Sequence, residues 1–299
     1  MTVRKVLERK LGVSRKLLSR LKLTERGITV NGERVYTSWK VREGDLIELR
    51  MEQEYSDDIQ PEPMELDIVY EDRDLLVVNK PPGIVVHPTH GHYTGTLANG
   101  VVEYWRQRGE KVRFRPIHRL DEDTSGLVAI AKNPYIHQQL SEQLQAGKVF
   151  KAYLAYVYKV PDPAVGTIDA PIDRDPESPH IRIVTAGGYP SITHYETAAV
   201  YRQGAASKVK LRLETGRTHQ IRVHMKHSGC PLIGDQMYGF AADPLCGGIP
   251  ELEAVVNRQA LHAAVLGFTH PISRKWMEWE AALPEDLVRL EKSLVNEQE

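Results

Sequence analysis

The chain has 299 residues, enough for about two domains that each bury a core of their own. Its 41% hydrophobic and 26% charged residues are close to globular averages, which excludes a fibrous or wholly disordered chain. The net charge of −1, taken as a total, gives no indication of a nucleic-acid partner. Because we find neither an apolar run of membrane-spanning length nor a signal-peptide core behind Met1, we expect a cytoplasmic protein with no membrane partner.

The charge is unevenly distributed along the chain. Residues 1–50 carry a net +7 and residues 78–275 carry +6, whereas residues 51–77 carry −9 and residues 276–299 carry −5. Basic regions of this kind are typical of proteins that bind RNA or DNA, although a charged run can also be a solvated face. The total therefore hides two basic regions behind two acidic ones.

Residues 1–52 are predicted to form a small α/β domain. Apolar residues at a spacing of three and four predict a first helix that ends at Gly12, and Ser14 is placed as the N-cap of a second helix. Asn31-Gly32 between β-forming residues predicts a hairpin, and Gly44-Asp45 predicts a further turn before another strand. The basic side chains that lie off the apolar stripes of this domain are candidates for RNA contact.

Residues 53–65 are acidic and lack periodicity, which is typical of a linker, and residues 66–299 are predicted to form a larger domain. Its strands and helices do not alternate regularly, so a mixed or antiparallel sheet is favoured over a doubly wound one. The predicted strands are residues 75–78, 125–132, 151–158 and 208–214. Asn133-Pro134 is placed to begin a helix that Gly147 ends.

Asp121 lies in a dense polar turn that leads into the predicted strand at 125–132. A carboxylate there can act as a nucleophile at a sugar carbon or an electron-poor ring, or as a general base. The alternative is an ordinary loop whose side chains cap their own backbone. Asp121 and Asp123 also raise a glycoside-hydrolase hypothesis, which is weak because residues two apart in a turn rarely flank one bond.

The segment 216–222 is predicted to open a helix that Thr218 caps and that runs to about His227. Free N–H groups at its start, together with Arg217 and Arg222, suit a phosphate or a carboxylate held ionised by Arg222. A structural ion pair is the alternative.

Histidines and cysteines are candidate metal ligands, but a metal site is not favoured. The candidates are His87, His90, His92, His219, His224, His227, Cys230 and Cys246. The last three histidines do not share one helix face, and the two cysteines lack ligand spacing and are too few for a disulfide scaffold. We therefore expect no metal and a reducing compartment. Tyr153 faces inward by alternation, either as a core residue or as a platform for a flipped base.

Five stretches, taken in order, resemble the RNA pseudouridine synthases of the large ribosomal family, which also includes dual-specificity enzymes for tRNA and rRNA. They are Asn79-Lys80-Pro81-Pro82-Gly83 with His87-Pro88; His118-Arg119-Leu120-Asp121 with Thr124-Ser125-Gly126; Lys151-Ala152-Tyr153; residues 215–222; and Arg258-Gln259-Ala260-Leu261-His262-Ala263 with His270-Pro271. The resemblance covers about residues 66–285. It implies an α+β fold with a curved, mixed and mostly antiparallel sheet, flanking helices and an RNA cleft.

The resemblance also implies roles for five residues. Asp121 would be the catalytic aspartate, and Arg222 would pair with it. Tyr153 would pack on the target uracil and help to move the proton from its C5 atom. Arg119 would fill the space that the flipped base leaves, and Leu213 would contact the base. Two departures from the family pattern are Lys159, where relatives often have glycine, and the long segment 240–257, to which no role is assigned.

The N-terminal block is similar to an S4-type RNA-binding domain through Ser14-Arg15, Val30-Asn31-Gly32 and Gly44-Asp45. Its candidate RNA-binding residues are Arg4, Lys5, Arg15, Lys16 and Arg20. The resemblance implies an enzyme that isomerises uridines in structured RNA without a cofactor, with large-subunit ribosomal RNA as the favoured substrate. We expect the enzyme to be a monomer. Two alternatives stay open: a non-catalytic RNA-binding or ribosome-assembly protein on the same scaffold, and a metal-dependent hydrolase.

Overall fold

The computed structural model describes residues 1–89, 91–239 and 248–295. It divides the chain into two compact units. The first comprises Met1–Val77, His87–His118 and Ala129–Gln145, and the second comprises Val78–Val86, Arg119–Val128 and Ala146–Glu299. The domain boundaries at residues 52 and 65 stay a prediction.

The first unit begins with two helices and a small sheet, as the sequence pattern indicates. These are α1 (Val3–Arg9), α2 (Arg15–Leu23), β1 (Ile28–Val30), β2 (Glu33–Arg34) and β3 (Ile47–Leu49), with the strand order β2-β1-β3. The hydroxyl of Ser14 accepts the N–H of Leu17 at 3.2 Å, so the predicted N-cap is confirmed. Asn31 and Gly32 have φ angles of 51° and 81°, which confirms the two-residue hairpin turn.

The acidic segment 53–65 contains no helix or strand, yet it is anchored within the first unit. Ser56 is buried and accepts the N–H of Phe114 at 2.8 Å. The carboxylate of Glu54 forms ion pairs with Arg20 and with Arg115. These contacts hold the segment in place, because each one satisfies a charged or polar group.

The rest of the first unit contains β4 (Asp67–Glu71), α3 (Leu97–Gln107) and α4 (Pro134–Gln145). Asn133 caps α4 as predicted, with its side-chain oxygen 3.0 Å from the N–H of Ile136. Helix α4 also binds the turn between α1 and α2: Tyr135 donates to the carbonyl of Leu11 at 2.7 Å, and Gln138 donates to that of Gly12 at 2.7 Å. The N-terminal helices are therefore tied to α4 by specific hydrogen bonds.

The second unit is built on a mixed, mostly antiparallel sheet. Its elements are β7 (Phe150–Tyr158), β8 (Val165–Asp169), β9 (Ile172–Arg174), β10 (Arg182–Val184), β11 (Ile192–Tyr201), β12 (Ala206–Leu213), α5 (Gln220–His227), α6 (Pro250–Val255), β13 (Leu261–Thr269), β14 (Trp276–Glu280) and α7 (Glu285–Val295). Two further strands, β5 (Leu75–Lys80) and β6 (Ser125–Ala131), belong partly to each unit. The order β6-β13-β7-β12-β11-β8, with β14 on β13, agrees with the predicted fold class, which is confirmed.

One pair in this sheet, β6 with β13, is parallel, and Gly126 lies in it. Its φ angle is +119°, and a Cβ at this position would lie 2.3 Å from the carbonyl oxygen of Ala263. Only glycine fits such a conformation and such a close approach. This glycine lets the strand that follows Asp121 lie directly against β13.

Lys159, where the family resemblance leads us to expect glycine, has a backbone conformation that suits glycine. Its φ angle is 61°, in the left-handed region that glycine enters without strain. The carbonyl of Lys159 accepts a hydrogen bond from the hydroxyl of Ser207 at 2.7 Å, which holds the turn in this conformation.

The predicted cap of α5 is wrong. The helix begins at Gln220, its N-cap is His219 at φ 56°, and no side chain caps it. The side-chain oxygen of Gln220 instead accepts the N–H of Arg217 at 3.0 Å and the hydroxyl proton of Thr215 at 2.9 Å. These bonds close the turn one residue before the helix and leave Thr218 exposed.

Part of the unassigned segment 240–257 forms α6, which packs with α7 and the buried tyrosines of β7. Residues 240–247, which include Cys246, lie outside the described residues, as does His90. Cys230 is buried as a free thiol. In the described part of the chain, none of the helices combines the length and the apolar composition that crossing a bilayer requires.

Candidate active site

Asp121 lies in a turn of the second unit, just before β6, with 26% of its side chain exposed. Its carbonyl accepts the N–H of Thr124 at 3.1 Å, which closes the turn. The carbonyl of Glu122 accepts a hydrogen bond from the N–H of Gly83 at 3.1 Å. The turn is therefore held by its backbone, so that the Asp121 carboxylate is left for other contacts.

The buried ammonium of Lys80 is a second anchor of this turn. Its Nζ donates to the carbonyls of Pro81, Ile84 and Glu122 at 2.9, 2.8 and 2.7 Å. Burial lowers the pKa of Lys80 to about 7, against the opposing charges of Asp123, Asp121 and Glu122. All three N–H donors of the charged form are used, which ties β5 to the Asp121 turn.

Arg258 anchors the same turn from its other side. Its guanidinium binds Asp286 through two hydrogen bonds of 2.6 and 3.0 Å and donates to the carbonyl of Asp123 at 2.8 Å. The neighbouring Gln259 reaches the hydroxyl of Thr124 at 3.3 Å. The charge of Arg258 lowers the pKa of Asp286, against the effect of burial.

Arg222 on α5 connects Asp121 to a second carboxylate. One guanidinium nitrogen, Nη1, lies 3.4 Å from Oδ2 of Asp121, so the predicted pair is brought together. The stronger partner is Asp235, which is fully buried and accepts from Nε at 2.7 Å and from Nη2 at 2.8 Å. Burial alone would lower the pKa of Arg222, but Asp235 and Asp121 raise it above its ordinary value. Arg222 therefore stays charged and is aimed at Asp121.

These groups surround a cavity of about 590 Å³, within the size range of small-ligand sites. The residues that line it include Asp121, Glu122, Asp123, His180, His219, Arg222, Gln236 and Arg258. The lining contains both carboxylates and cations, and the Asp121 side chain is partly exposed. Such an arrangement can hold a polar ring next to a carboxylate that acts as nucleophile or base.

The other predicted substrate contacts lie in different surroundings. Tyr153 is buried on β7, where burial and the negative charge of Asp121 raise the pKa of its phenol far above the ordinary value. Arg119 is exposed, and Leu213 is half-buried at the end of β12. None of the three lines the cavity beside Asp121.

The five basic residues predicted to bind RNA, Arg4, Lys5, Arg15, Lys16 and Arg20, are all exposed in the first unit. Arg20 differs from the others because it pairs with Glu54 of the acidic segment. This ion pair offsets part of the positive charge on the outer face of α2.

His224, one of the histidines considered as a metal ligand, has a structural role. Its two ring nitrogens lie 2.8 Å from the hydroxyl of Thr193 and 2.9 Å from the carbonyl of Ala170. Within residues 1–89, 91–239 and 248–295, no group of three histidine, cysteine, aspartate or glutamate residues could hold a metal ion.

Sequence reasoning missed Asp235 as the partner that orients Arg222, and it gave no role to Lys80 or Arg258 of the quoted motifs. A signal for Asp235 was present. It follows the apolar run Pro231-Leu232-Ile233, and a carboxylate in apolar surroundings needs a cationic or N–H partner. The sequence does not indicate that Arg222, 13 residues before Asp235, is this cationic partner.

Comparisons with known proteins match this chain to one family. A family model described as RNA pseudouridylate synthase matches residues 74–227. The uncharacterized RNA pseudouridine synthase YlyB of Bacillus subtilis strain 168 is 43% identical over 270 residues, which are 89% of this chain and 85% of that protein. The ribosomal large subunit pseudouridine synthase D of Yersinia pestis is 42% identical over 271 residues, which are 89% of this chain and 82% of that protein.

Two solved structures share the fold. The human RNA pseudouridylate synthase domain containing 4 has a TM-score of 0.60 at 23% identity, over 76% of this chain and 92% of that chain. The human RNA pseudouridylate synthase domain containing 1 has a TM-score of 0.58 at 28% identity, over 74% of this chain and 84% of that chain.

Proposed function

The chain belongs to the RNA pseudouridine synthase family, and from that premise we propose that it isomerises uridines of large-subunit ribosomal RNA with Asp121 as the catalytic carboxylate. The observation that carries the proposal is the accessible Asp121 carboxylate, 3.4 Å from a charged Arg222 in a cavity of about 590 Å³. The choice of RNA draws on relatives such as the Yersinia pestis enzyme, whose name specifies the large ribosomal subunit.

The chemistry needs one ionised carboxylate and no imported group. Pseudouridine forms when the N1–C1′ bond breaks, the uracil rotates, C5 bonds to C1′, and the C5 proton is lost while N1 gains one. A carboxylate can assist by attacking C1′, by attacking the ring or by removing a sugar proton. Each route uses the Asp121 carboxylate, and Nη1 of Arg222 lies 3.4 Å from its Oδ2.

The target uridine must leave its stack to reach Asp121, at a cost of a few kcal/mol that contacts in the cavity offset. We assign Arg119 to the space that the base vacates, because it is exposed two residues before Asp121. Leu213, half-buried on β12, would contact the base.

The family resemblance assigns Tyr153 to pack its ring on the uracil, which requires the base to reach beyond the residues that line the cavity. Because burial and Asp121 raise the pKa of this phenol, its hydroxyl stays protonated at neutral pH. A protonated hydroxyl cannot accept the C5 proton, so the packing role is favoured over proton acceptance.

The N-terminal residues 1–52 would add a second contact with RNA. Arg4, Lys5, Arg15 and Lys16 are exposed, and residues 1–50 carry a net +7. Exposed cations of this density attract the phosphate backbone without selecting a sequence.

The RNA target is tested by mapping pseudouridines across the RNA of cells that lack the gene. The same cells carrying the wild-type gene or an Asp121→Asn allele are compared with them. We expect at least one large-subunit ribosomal uridine to be converted with the wild-type gene only. Conversion confined to transfer RNA would contradict the choice of substrate, and conversion by the Asp121→Asn allele would contradict the role of Asp121.

A further inference from the structure

The hydroxyl of Tyr238 fixes the proton arrangement of a histidine in the active-site cavity. Its oxygen lies 2.8 Å from the backbone nitrogen of Arg182 and 2.8 Å from Nδ1 of His219. A backbone N–H can only donate, so the Tyr238 oxygen accepts from Arg182. Because Tyr238 is buried, its own proton also needs an acceptor, and in the described ranges the remaining hydrogen-bond partner of this hydroxyl is His219 Nδ1.

This assignment determines where His219 carries its own proton. A neutral imidazole has one N–H, and with Nδ1 accepting, that N–H must be on Nε2. Burial lowers the pKa of His219, and the charges of Arg222 and Arg182 act in the same direction, against those of Asp121 and Asp235. The ring is therefore neutral near pH 7, with Nε2–H as its donor.

His219 and Asp121 line the same cavity, and Nε2 of His219 has no hydrogen-bond partner within residues 1–89, 91–239 and 248–295. The backbone of His219 has φ 56° and ψ 19°, a left-handed conformation that residues other than glycine rarely adopt. An edge contact with the Tyr238 ring, 5.5 Å between centroids, supports it there.

We propose that Nε2–H of His219 donates a hydrogen bond to a carbonyl oxygen of the target uracil. The proposal rests on the proposed function, because it needs a uridine next to Asp121. An uncharged donor suits a carbonyl oxygen, whereas a phosphate would favour a cation. The target uridine would lie in the cavity that both His219 and Asp121 line, and the carbonyl oxygens of its base are acceptors for such a donor.

The symmetry of uracil makes one fixed donor useful throughout the reaction. Rotation about the axis through N3 and C6 exchanges N1 with C5 and also exchanges O2 with O4. A donor that meets one carbonyl before the rotation therefore meets the other carbonyl after it. When N1 separates from C1′, negative charge spreads from N1 onto the carbonyl oxygens, and a prepositioned N–H stabilises that charge.

The first test reads the tautomer directly and does not depend on activity. In full-length protein labelled with ¹⁵N-histidine at pH 7, two-bond ¹H–¹⁵N correlations show which ring nitrogen of His219 is protonated, with His219→Gln supplying the assignment. We expect the Nε2–H form, and a mixture of both forms in Tyr238→Phe. An Nδ1–H ring or a doubly protonated ring in the wild type would overturn the proposal.

The second test measures tritium release from C5-labelled large-subunit ribosomal RNA transcribed in vitro. We expect His219→Phe to lower kcat about 100-fold with little change in KM, as for the loss of one donor to developing charge. His219→Gln, which keeps an N–H donor, should recover part of kcat, and Tyr238→Phe should lower it less than His219→Phe does. His227→Phe, at the exposed end of the same helix, is the matched control and should match the wild type.

The outcomes separate this inference from the proposed function. A normal kcat in His219→Phe, or an effect confined to KM, overturns the carbonyl contact. If Asp121→Asn is inactive in the same assay, the proposed function survives that failure. If Asp121→Asn is active, the proposed function fails first. Should His219→Phe not fold, the tautomer measurement together with Tyr238→Phe and His219→Gln decides the question.

Discussion

Substitution of Asp235 by asparagine tests how Arg222 is oriented. The carboxylate of Asp235 is fully buried and accepts two hydrogen bonds from Arg222, at 2.7 and 2.8 Å, as well as the N–H groups of Met237 and Tyr238. Asparagine keeps one oxygen, but its amide N–H groups would face the Nε–H of Arg222, and the negative charge is lost.

The structure sets the size of the expected effect. Removing one partner of a buried ion pair costs about 3–5 kcal/mol. Asp121 remains 3.4 Å from Arg222 as a second partner, so we expect Asp235→Asn to lower the free energy of unfolding by about 3 kcal/mol, the lower end of that range. A loss of this size lowers the folding equilibrium constant roughly 100-fold. Because a displacement of about 1 Å in a positioning group can cost 100-fold in rate, we also expect kcat to fall by about 10- to 100-fold.

Urea unfolding followed by circular dichroism measures the stability, and tritium release from C5-labelled RNA measures kcat. The matched control is Glu291→Gln on α7, where the carboxylate accepts from Lys208 and from Tyr201, both at 2.8 Å. Glu291 does not line the cavity, so this variant should lose stability and keep its kcat. A folded Asp235→Asn protein with wild-type kcat would refute the orienting role.

Three further substitutions test the site and its surroundings. Gly126→Ala places a methyl group 2.3 Å from the carbonyl oxygen of Ala263 at a φ angle of +119°. The free energy of unfolding should therefore fall by at least about 2 kcal/mol, and an unchanged thermal midpoint would contradict this. Lys80 has its pKa lowered to about 7, so between pH 7 and its ordinary pKa the unfolded chain binds a proton that the folded chain does not. The free energy of unfolding should therefore rise by up to about 1.4 kcal/mol per pH unit from pH 7 to 9, and the Lys80→Met variant should not show this rise. An equal pH dependence of the free energy of unfolding in both proteins would contradict the prediction. Changing Arg15 and Lys16 together to glutamine should lower the slope of log affinity against log salt by about 0.7–0.9 for each phosphate that the protein no longer binds, whereas an unchanged slope would mean that neither residue touches RNA.

The features that the sequence predicted well are those whose causes lie within a few residues. Ser14 caps α2 because its hydroxyl needs only the N–H three residues on. Asn31-Gly32 forms the hairpin turn because both residues tolerate positive φ. Asp121 was found because its motif occurs as an uninterrupted stretch next to a strand.

The features that it missed depend on partners chosen by the tertiary fold. Thr218 is a good local cap, but the Gln220 side chain closes the turn first, so His219 becomes the N-cap. Glu54 looked like part of a solvated linker, yet it pairs with Arg115 from 61 residues away. Spacing and propensity carry no information about which distant cation a carboxylate will meet.

The geometry of the Arg222 site was likewise only half predictable. The pairing with Asp121 followed from the family resemblance, whereas the bidentate bond to Asp235 did not. The donor role of His219 needed the Tyr238 hydroxyl, 19 residues away, to be placed against its ring.

The central claim is that the Asp121 carboxylate carries out the isomerisation. The most direct test is single-turnover tritium release by Asp121→Asn from C5-labelled large-subunit ribosomal RNA, with RNA affinity measured in parallel. We predict no release above background while the affinity stays within about twofold of the wild type, since this change removes one charge and keeps the side-chain volume. Release at the wild-type rate by the fully bound variant would contradict the account.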